Sequence, residues 1–545
     1  MIIKTKKVTI LAIKEVTDQL LTELGRHGII EIKKPDEKEF IGFRKQIVEE
    51  RTFYPELIDK LKKLIDKYAI KEKIQKKIKI KLEKKISIKE AREIIEHYER
   101  AFENLAVHWM GKEFEADKLL EDYIERYNKL REEFTEKAQT LLQKLKKSYK
   151  LAIMEERMLI TEHLALLQGW VPEKEIPKLR KIIKDFKERI NRAVAMFIEE
   201  EREEEDEESP VLYKTSSITE GFAGLIRQYG TPGPHDKEPT IIAGLLWSFM
   251  FGFMFADYGE GLVLLLIGIY GVISNKEVMG MSFRKLGKLL ISAGIFAIIF
   301  GLLVGEFFLI EVHPLFPGLE EGWLEHSYNV VWLLKIAVFI GAIEILLGMI
   351  INMLKALKHG EMIEAIMGEH GAAGIVGFVS FIILAFIILG GITIIPSKIE
   401  LFGITIIPGR IRIDQHTLGP YWFLPIIGLL ISVISMMLSS SLMGEGIEQG
   451  LGIAIEALIS FMSNTLSYTR LAGFAIAHAS YGLVAATMLE KNVIIGTVIG
   501  LVFLNAFALS LEVVIVMIQA LRLTFYEFMT KFYEGTGKLF KPFKI

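Results

Sequence analysis

The sequence predicts an α-helical polytopic membrane domain of about eight transmembrane helices, the last two long and tilted. Ahead of it the sequence predicts an N-terminal α+β cytoplasmic domain with a long coiled-coil-like helical hairpin. Three observations carry this. The chain has 545 residues, of which 51% are hydrophobic and 25% charged. That mixture, in a chain long enough for two or three domains, marks two unlike kinds of segment joined together. The composition then switches near residue 240, from dense charge to long stretches free of Asp, Glu, Lys and Arg. Finally, apolar residues recur at spacings of one, three and four along a charged segment before residue 150.

The charged half reads as a cytoplasmic arm over residues 1–238. Residues 8–13 suit a strand, and Val16, Leu20, Leu21 and Leu24 mark one face of a helix. Residues 28–33 suit a second strand, which completes a βαβ unit and an α/β lobe over residues 1–50. From 54 to 150 the pattern is helical. Leu120, Tyr123, Ile124, Tyr127, Leu130, Phe134, Ala138, Leu141, Leu142 and Leu145 form a narrow apolar stripe. Such a stripe suits an antiparallel helical hairpin. A second α/β lobe follows over 160–200 and is expected to pack with the first. Residues 199–208 are acidic except for Arg202. Like charges that dense stay solvated, so this run reads as a linker.

The apolar half, 239–545, holds four charge-free stretches at 371–397, 415–444, 471–489 and 492–511. About 20 mostly apolar residues cross a hydrocarbon core, so each can span. Shorter runs at 241–256, 261–274, 289–305 and around 336–354 bring the count to eight, the first pair resembling a tight helical hairpin. Lys276, Arg284, Lys285 and Lys288 in the second loop and Lys355 and Lys358 in the fourth place those loops in the cytoplasm. The N-terminal region and the C-terminus then also lie there. Lys398, Arg410 and Arg412, in the fifth loop, run against this rule.

Composition excludes several chemistries. With no cysteine there is neither a disulfide framework nor a thiolate metal site. A net charge of −2 argues against a nucleic-acid face. Around Lys538 the glycines have the wrong spacing for a P-loop, and Leu539 stands where a magnesium-binding Ser or Thr belongs. The chain is therefore not expected to hydrolyse nucleotide itself, and no cofactor or metal is expected.

What remains is charge inside the membrane. An arginine at mid-bilayer costs at least ~2.5–3.5 kcal/mol, so it persists only where it pairs, faces protein or lines water. The seventh helix carries Glu456, Asn464, Tyr468, Arg470 and His478; the eighth carries Asn505, Glu512 and Arg522. Internal salt bridges that merely hold helices together are one reading, and a polar ion pathway is the other. Arg470 lies 21 residues before Lys491 and Glu512 lies 21 after it. At 1.5 Å per residue both are ~30 Å from the turn, which predicts that they face each other. Polar groups on both sides of an arginine suggest two aqueous half-paths that do not connect.

Residues 463–479, SNTLSYTRLAGFAIAHA, resemble the signature of the a/I subunit of V-type and archaeal A-type rotary ATPases. The C-terminal LRLTFYEFMTKFYEGTGKLFKPF, GWVP at 169–172 and FMFGFMFADYGEG at 249–261 are similar to three further landmarks of that family. Ala256 departs from the glycine expected before Asp257. The resemblance implies a membrane stator subunit that couples proton or sodium translocation to ATP hydrolysis or synthesis. It implies Arg470 as the essential arginine, Arg522 as a second, and Glu456, His478 and Glu512 as polar positions of the ion path. The partners it implies are the proteolipid c/K ring, peripheral-stalk heterodimers of the E/G or E/H type, the central-stalk d/C subunit and the lipid bilayer.

Two other classes compete. A secondary transporter or channel with a regulatory cytoplasmic domain predicts a midplane site made by broken helices related by an internal repeat; the halves show no convincing repeat. A purely structural membrane anchor leaves the charges of the last two helices unexplained.

Overall fold

A computed structural model describes residues 2–70, 85–110, 116–199, 209–213, 219–234, 236, 238–274, 277–278, 281–312, 330–395, 399–401, 404–407, 411–444 and 446–545. The acidic run at 200–208, most of the third loop, and Lys276, Lys398 and Arg410 lie outside the described residues. The chain forms two compact units. One is Ile2–Tyr213 together with Gly537–Ile545, and the other is Lys214–Thr536.

The first unit is built on strands β1 (Thr5–Ile13), β2 (Glu31–Lys33), β3 (Leu164–Pro172) and β4 (Val194–Ile198). Helix α1 (Thr17–His27) joins β1 to β2. Between β2 and β3 come α2 (Glu50–Tyr68), α3 (Ile88–Met110) and α4 (Ala116–Glu155), and α5 (Ile176–Ile190) joins β3 to β4. The sheet order is β4-β1-β3-β2, with every neighbour antiparallel. Each βαβ pair is therefore split by a strand of the other, which is the ferredoxin-like arrangement. The two α/β stretches share one sheet because neither has a strand that pairs with its own partner. Alternation along β1 buries Val8, Ile10 and Ala12 on the face that receives Leu20, Leu21 and Leu24 of α1 and Leu179, Ile183 and Phe186 of α5. Gly28 ends α1 at φ 60, a left-handed cap that favours glycine.

The inserted helices form a core of their own. Leu57, Leu61 and Leu64 of α2 and Ile95, Tyr98 and Phe102 of α3 meet Phe134, Ala138, Leu141 and Leu145 of α4. The apolar stripe thus has two neighbours to cover it, not one. Among its described side chains it is buried only from Phe134 onward, and Ile124 is 48% exposed. With 40 residues, α4 is ~60 Å long.

Among the described residues of the second unit six helices are long and apolar enough to span a membrane: Phe283–Val304, Val330–His359, Met362–Ile388, Gly419–Leu442, Ile447–Lys491 and Gly496–Lys531. Two shorter apolar helices, Thr240–Met254 and Tyr258–Ile273, precede them, and both pack against Phe283–Val304 rather than against each other. Numbered in chain order these are membrane helices one to eight. Helices two and three lie almost backbone to backbone. A Cβ on Gly268 would sit 2.8 Å from the carbonyl oxygen of Gly287, and one on Gly294 would sit 2.7 Å from that of Gly261. Small residues permit such approach, where packing and not water expulsion drives association.

The last two helices depart from a straight α ladder. Helix seven is broken at Tyr468 into Ile447–Ser467 and Thr469–Lys491. Helix eight contains π-helical stretches at Gly496–Phe503, Ala508–Glu512 and Thr524–Phe528. A segment of 45 residues, as in helix seven, would run ~67 Å if straight, far beyond a hydrocarbon core of ~30 Å.

Candidate functional site

Three groups of buried polar side chains follow one another along helices seven and eight. The first surrounds His478, which is 1% exposed. Its Nδ1 lies 3.2 Å from both carboxylate oxygens of Glu512, 5% exposed, on helix eight. Asp257, Glu306 and His478 each present a ligand-type atom within 4.8 Å of the others. Glu260, fully buried, acts electrostatically on the same groups, and neither of its carboxylate oxygens has a hydrogen-bond partner.

Backbone geometry sets this first group. Asp257 ends the turn between helices one and two, and its Oδ1 accepts from the amides of Gly259 (2.7 Å) and Glu260 (2.9 Å). It is the N-cap of helix two, satisfying donors that a helix start leaves open. Its Oδ2 accepts from the amide of Leu309 at 2.7 Å. Phe308 and Leu309 form the tip of a hairpin in which Glu306–Phe307 pairs with Ile310–Glu311, and both have positive φ, 50 and 62. Non-glycine residues reach that region at a cost, and strained turns of this kind need a clamp. Asp257 supplies one clamp, and Asn505 of helix eight supplies another by donating to Phe308 O at 3.2 Å. The turn holds Glu306 in place. Gly482, one turn after His478, leaves room for it: a Cβ there would lie 3.0 Å from Glu306 Oε1.

The second group is centred on Tyr468 and Arg470. Arg470 Nη1 lies 3.9 Å from Glu527 Oε1 and makes no hydrogen bond, while the side chain is 28% exposed. Tyr468 and Glu344 are buried beside it, and both Glu344 and Glu527 act electrostatically on the phenol. Arg522 is exposed on helix eight, and its charge also reaches Glu527.

In the third group, Lys531 donates to Ser460 Oγ at 3.3 Å and Asn464 donates to the same oxygen at 3.0 Å. Glu456 is exposed on helix seven; Glu369 lies within reach of the charges of both Glu456 and Lys531. Beside them a cavity of about 270 Å³ is lined by Glu364, Glu369, His370, Ser439, Ser440 and Ile453.

The sequence-expected residues therefore divide. His478 and Glu512 meet, Arg470 and Arg522 share Glu527, and Glu456 stands apart in the third group. Arg470 does not face Glu512 as counting from the turn suggests. That count assumes an unbroken α rise, whereas helix seven breaks at Tyr468 and each π turn of helix eight spends an extra residue. Between Arg470 and His478 the residues are Leu471, Ala472, Gly473, Phe474, Ala475, Ile476 and Ala477, with no polar side chain among them.

The sequence reading missed Glu260, Glu306, Glu344, Glu527 and Lys531 as site residues. Glu344 carried a signal, since it is an acidic residue inside an apolar run, and Glu527 lies in the C-terminal motif.

Residues 55–323 and 445–545 match the family model described as the V-type ATPase 116kDa subunit family, so the match takes in all three helices that carry the first group. The chain belongs to this family. It is 25% identical to the A-type ATP synthase subunit I of Saccharolobus solfataricus over 78% of this chain and 68% of that protein. It is 27% identical to the subunit of the same name from Pyrococcus horikoshii, over 70% of this chain and 54% of that one. A mouse relative, V-type proton ATPase 116 kDa subunit a 2, is 24% identical over 28% of this chain and 19% of its own length. The chain thus spans about two thirds of the first relative and about half of the second. Within the family match lie His478, Arg470, Glu456, Glu512 and Arg522, the five residues on which the ion-path expectation rests.

Proposed function

We propose that this family member is the membrane stator subunit of a rotary A/V-type ATPase. In this reading it forms two ion half-paths against a rotating proteolipid ring and couples proton or sodium movement to ATP hydrolysis or synthesis. It binds no nucleotide; the Ile2–Tyr213 arm engages peripheral-stalk heterodimers and the central-stalk subunit. The N-terminal domain and the C-terminus are then cytoplasmic. The observation that carries the reading is the separation of the His478–Glu512 pair from the Arg470–Glu527 pair by seven apolar residues.

A ring carboxylate must be neutral to enter lipid, because an isolated ionised group there costs many kcal/mol. An outer half-path through His478, Glu512 and the Asp257 turn would deliver or accept its ion. An inner half-path past Glu456, Asn464 and Lys531 would do the same from the cytoplasmic side. Arg470 stands between them. Its side chain is 28% exposed while Nη1 is buried without a hydrogen-bond partner, and Glu527, 3.9 Å away, does not take up that donor. An opposite charge favours the ionised form of an arriving carboxylate, so the arginine strips its ion. Arginine suits this because it stays charged where lysine deprotonates.

The test is the Arg470→Ala variant in the assembled complex. Assembly should persist while ATP-driven ion pumping falls to background, whereas His478→Ala and Glu512→Gln should retain part of the pumping because water replaces a half-path ligand. Undiminished pumping by Arg470→Ala would remove the barrier role.

A further inference from the structure

We infer that the cluster at the helix-one turn is a binding site for a divalent transition-metal cation of the zinc class, held by Asp257, Glu306 and His478. The ligand atoms are already assembled. They lie within 4.8 Å of one another and all three residues are buried. A tetrahedral zinc site with bonds of ~2.1 Å has ligand–ligand edges of ~3.4 Å, so contraction by up to ~1.4 Å completes it. One imidazole and two carboxylates suit zinc, cobalt or manganese better than magnesium, which prefers oxygen ligands and retained water.

The second observation is the histidine itself. Ring nitrogens of metal-binding histidines almost always come as a pair: one faces the metal, the other donates to a carboxylate that fixes the tautomer. His478 Nδ1 lies 3.2 Å from both oxygens of Glu512, and the opposite nitrogen, Nε2, is buried without a hydrogen-bond partner. In the neutral imidazole, with Glu512 accepting from Nδ1–H, the lone pair is on Nε2. Glu260, whose two buried oxygens are likewise unpartnered and whose charge acts on His478, Asp257 and Glu306, is a candidate fourth donor. The cluster contains more carboxylates than cations among the described residues, since Asp257, Glu260, Glu306 and Glu512 all act on His478 or on one another. A divalent cation relieves that repulsion. Coordination needs a neutral imidazole and ionised carboxylates, so metal and protons compete for the site.

The inference stands on this geometry and not on the ion-path reading. Its consequence, that a bound metal closes the outer half-path, does rest on that reading. The experiment uses the full chain in detergent or nanodiscs, stripped with chelator and equilibrated with Zn²⁺ alone. One equivalent should be retained after gel filtration. Glu306→Gln and Asp257→Asn should each weaken binding at least tenfold, and Co²⁺ should give the visible spectrum of a four-coordinate ion with one nitrogen ligand. Asp257 also caps helix two, so Glu306→Asp, which keeps the charge, is included; it should retain binding at reduced affinity with an unchanged melting profile. No retained metal in the parent chain, or equal retention in all variants, overturns the site. Arg470→Ala touches none of these ligands, so it should bind Zn²⁺ normally, and its transport defect is read independently.

Discussion

Glu155, at the end of α4, shows how one carboxyl sets a pH response of the first unit. It is buried, with Lys85 Nζ at 2.5 Å, and Asp18 hydrogen-bonds to it. Burial first, and then Asp18, push its carboxyl up to about 8 despite Lys85. The folded arm keeps this proton, whereas the unfolded chain releases it near 4.5. The folded state therefore binds more protons across that window, and by linkage its stability falls as pH rises. The contribution is complete below about 4.5 and is lost as pH climbs through about 8. Glu155→Gln keeps the neutral shape and should flatten the slope of melting temperature against pH between those limits. An unchanged slope would assign the pH response to other groups. The same scale distinguishes the two kinds of buried carboxylate here. Asp257 accepts from three backbone amides, which explains its place at the start of helix two, whereas neither carboxylate oxygen of Glu260 has a hydrogen-bond partner.

Packing between elements decides which residues were readable from the sequence. Hydropathy located the six long apolar helices and the two shorter ones because a span must be apolar along its length, whatever surrounds it. The helical period located the α4 stripe but not its partners, since a stripe says which face is covered and not by what. His478, Glu512 and Arg470 stood out as charge or polarity in apolar runs, but their pairing depended on the break at Tyr468 and on three π stretches that no spacing rule reveals. Glu306 was invisible because it belongs to a strained turn, whose position comes from Asp257 and Asn505 on other helices. Gly341 makes this dependence testable. A Cβ built there would lie 2.1 Å from Tyr468 Cγ, so helix four and the break in helix seven touch only because residue 341 has no side chain. Gly341→Val should push Tyr468 out of its seat and cost roughly 1–3 kcal/mol, as overpacking of a filled core does. Thermal unfolding of the purified chain checks the cost. If the wedge also shifts Arg470, pumping per assembled complex should fall alongside stability, whereas Gly360→Ala, where a Cβ meets nothing within 4 Å, should lower neither by more than the strain of its own turn (φ 83).

For the whole molecule, the path of the chain matters more than any single contact. It leaves the first unit after Tyr213, passes through the membrane helices, and returns at Gly537 to end inside that same unit. The chain therefore joins the two units at two places, 213–214 and 536–537. The return is well anchored. Lys538–Leu539 pairs in parallel with Pro210–Val211. The amides of Lys541, Phe543 and Ile545 donate to Glu31 Oε2 (2.6 Å), Ile30 O (2.8 Å) and Gly25 O (3.1 Å). Phe543 is buried in the sheet core, and a Cβ on Gly25 would meet the Ile545 side chain, so α1 carries a glycine where the tail crosses it. The arm is thus tied to the membrane unit by two covalent strands of chain. In a stator that resists torque, two links share a load that one would otherwise carry alone. Phe543→Ala should destabilise the arm by ~3–5 kcal/mol, the usual cost of emptying a buried phenylalanine site. Removal of 537–545 should go further and convert two links into one. In the assembled complex that deletion should leave ATP hydrolysis running while ions pumped per ATP decline, because the arm yields under load. A deletion variant with full coupling and an unaltered melting profile would mean that the returning tail is ornament and that the single link at 213–214 suffices.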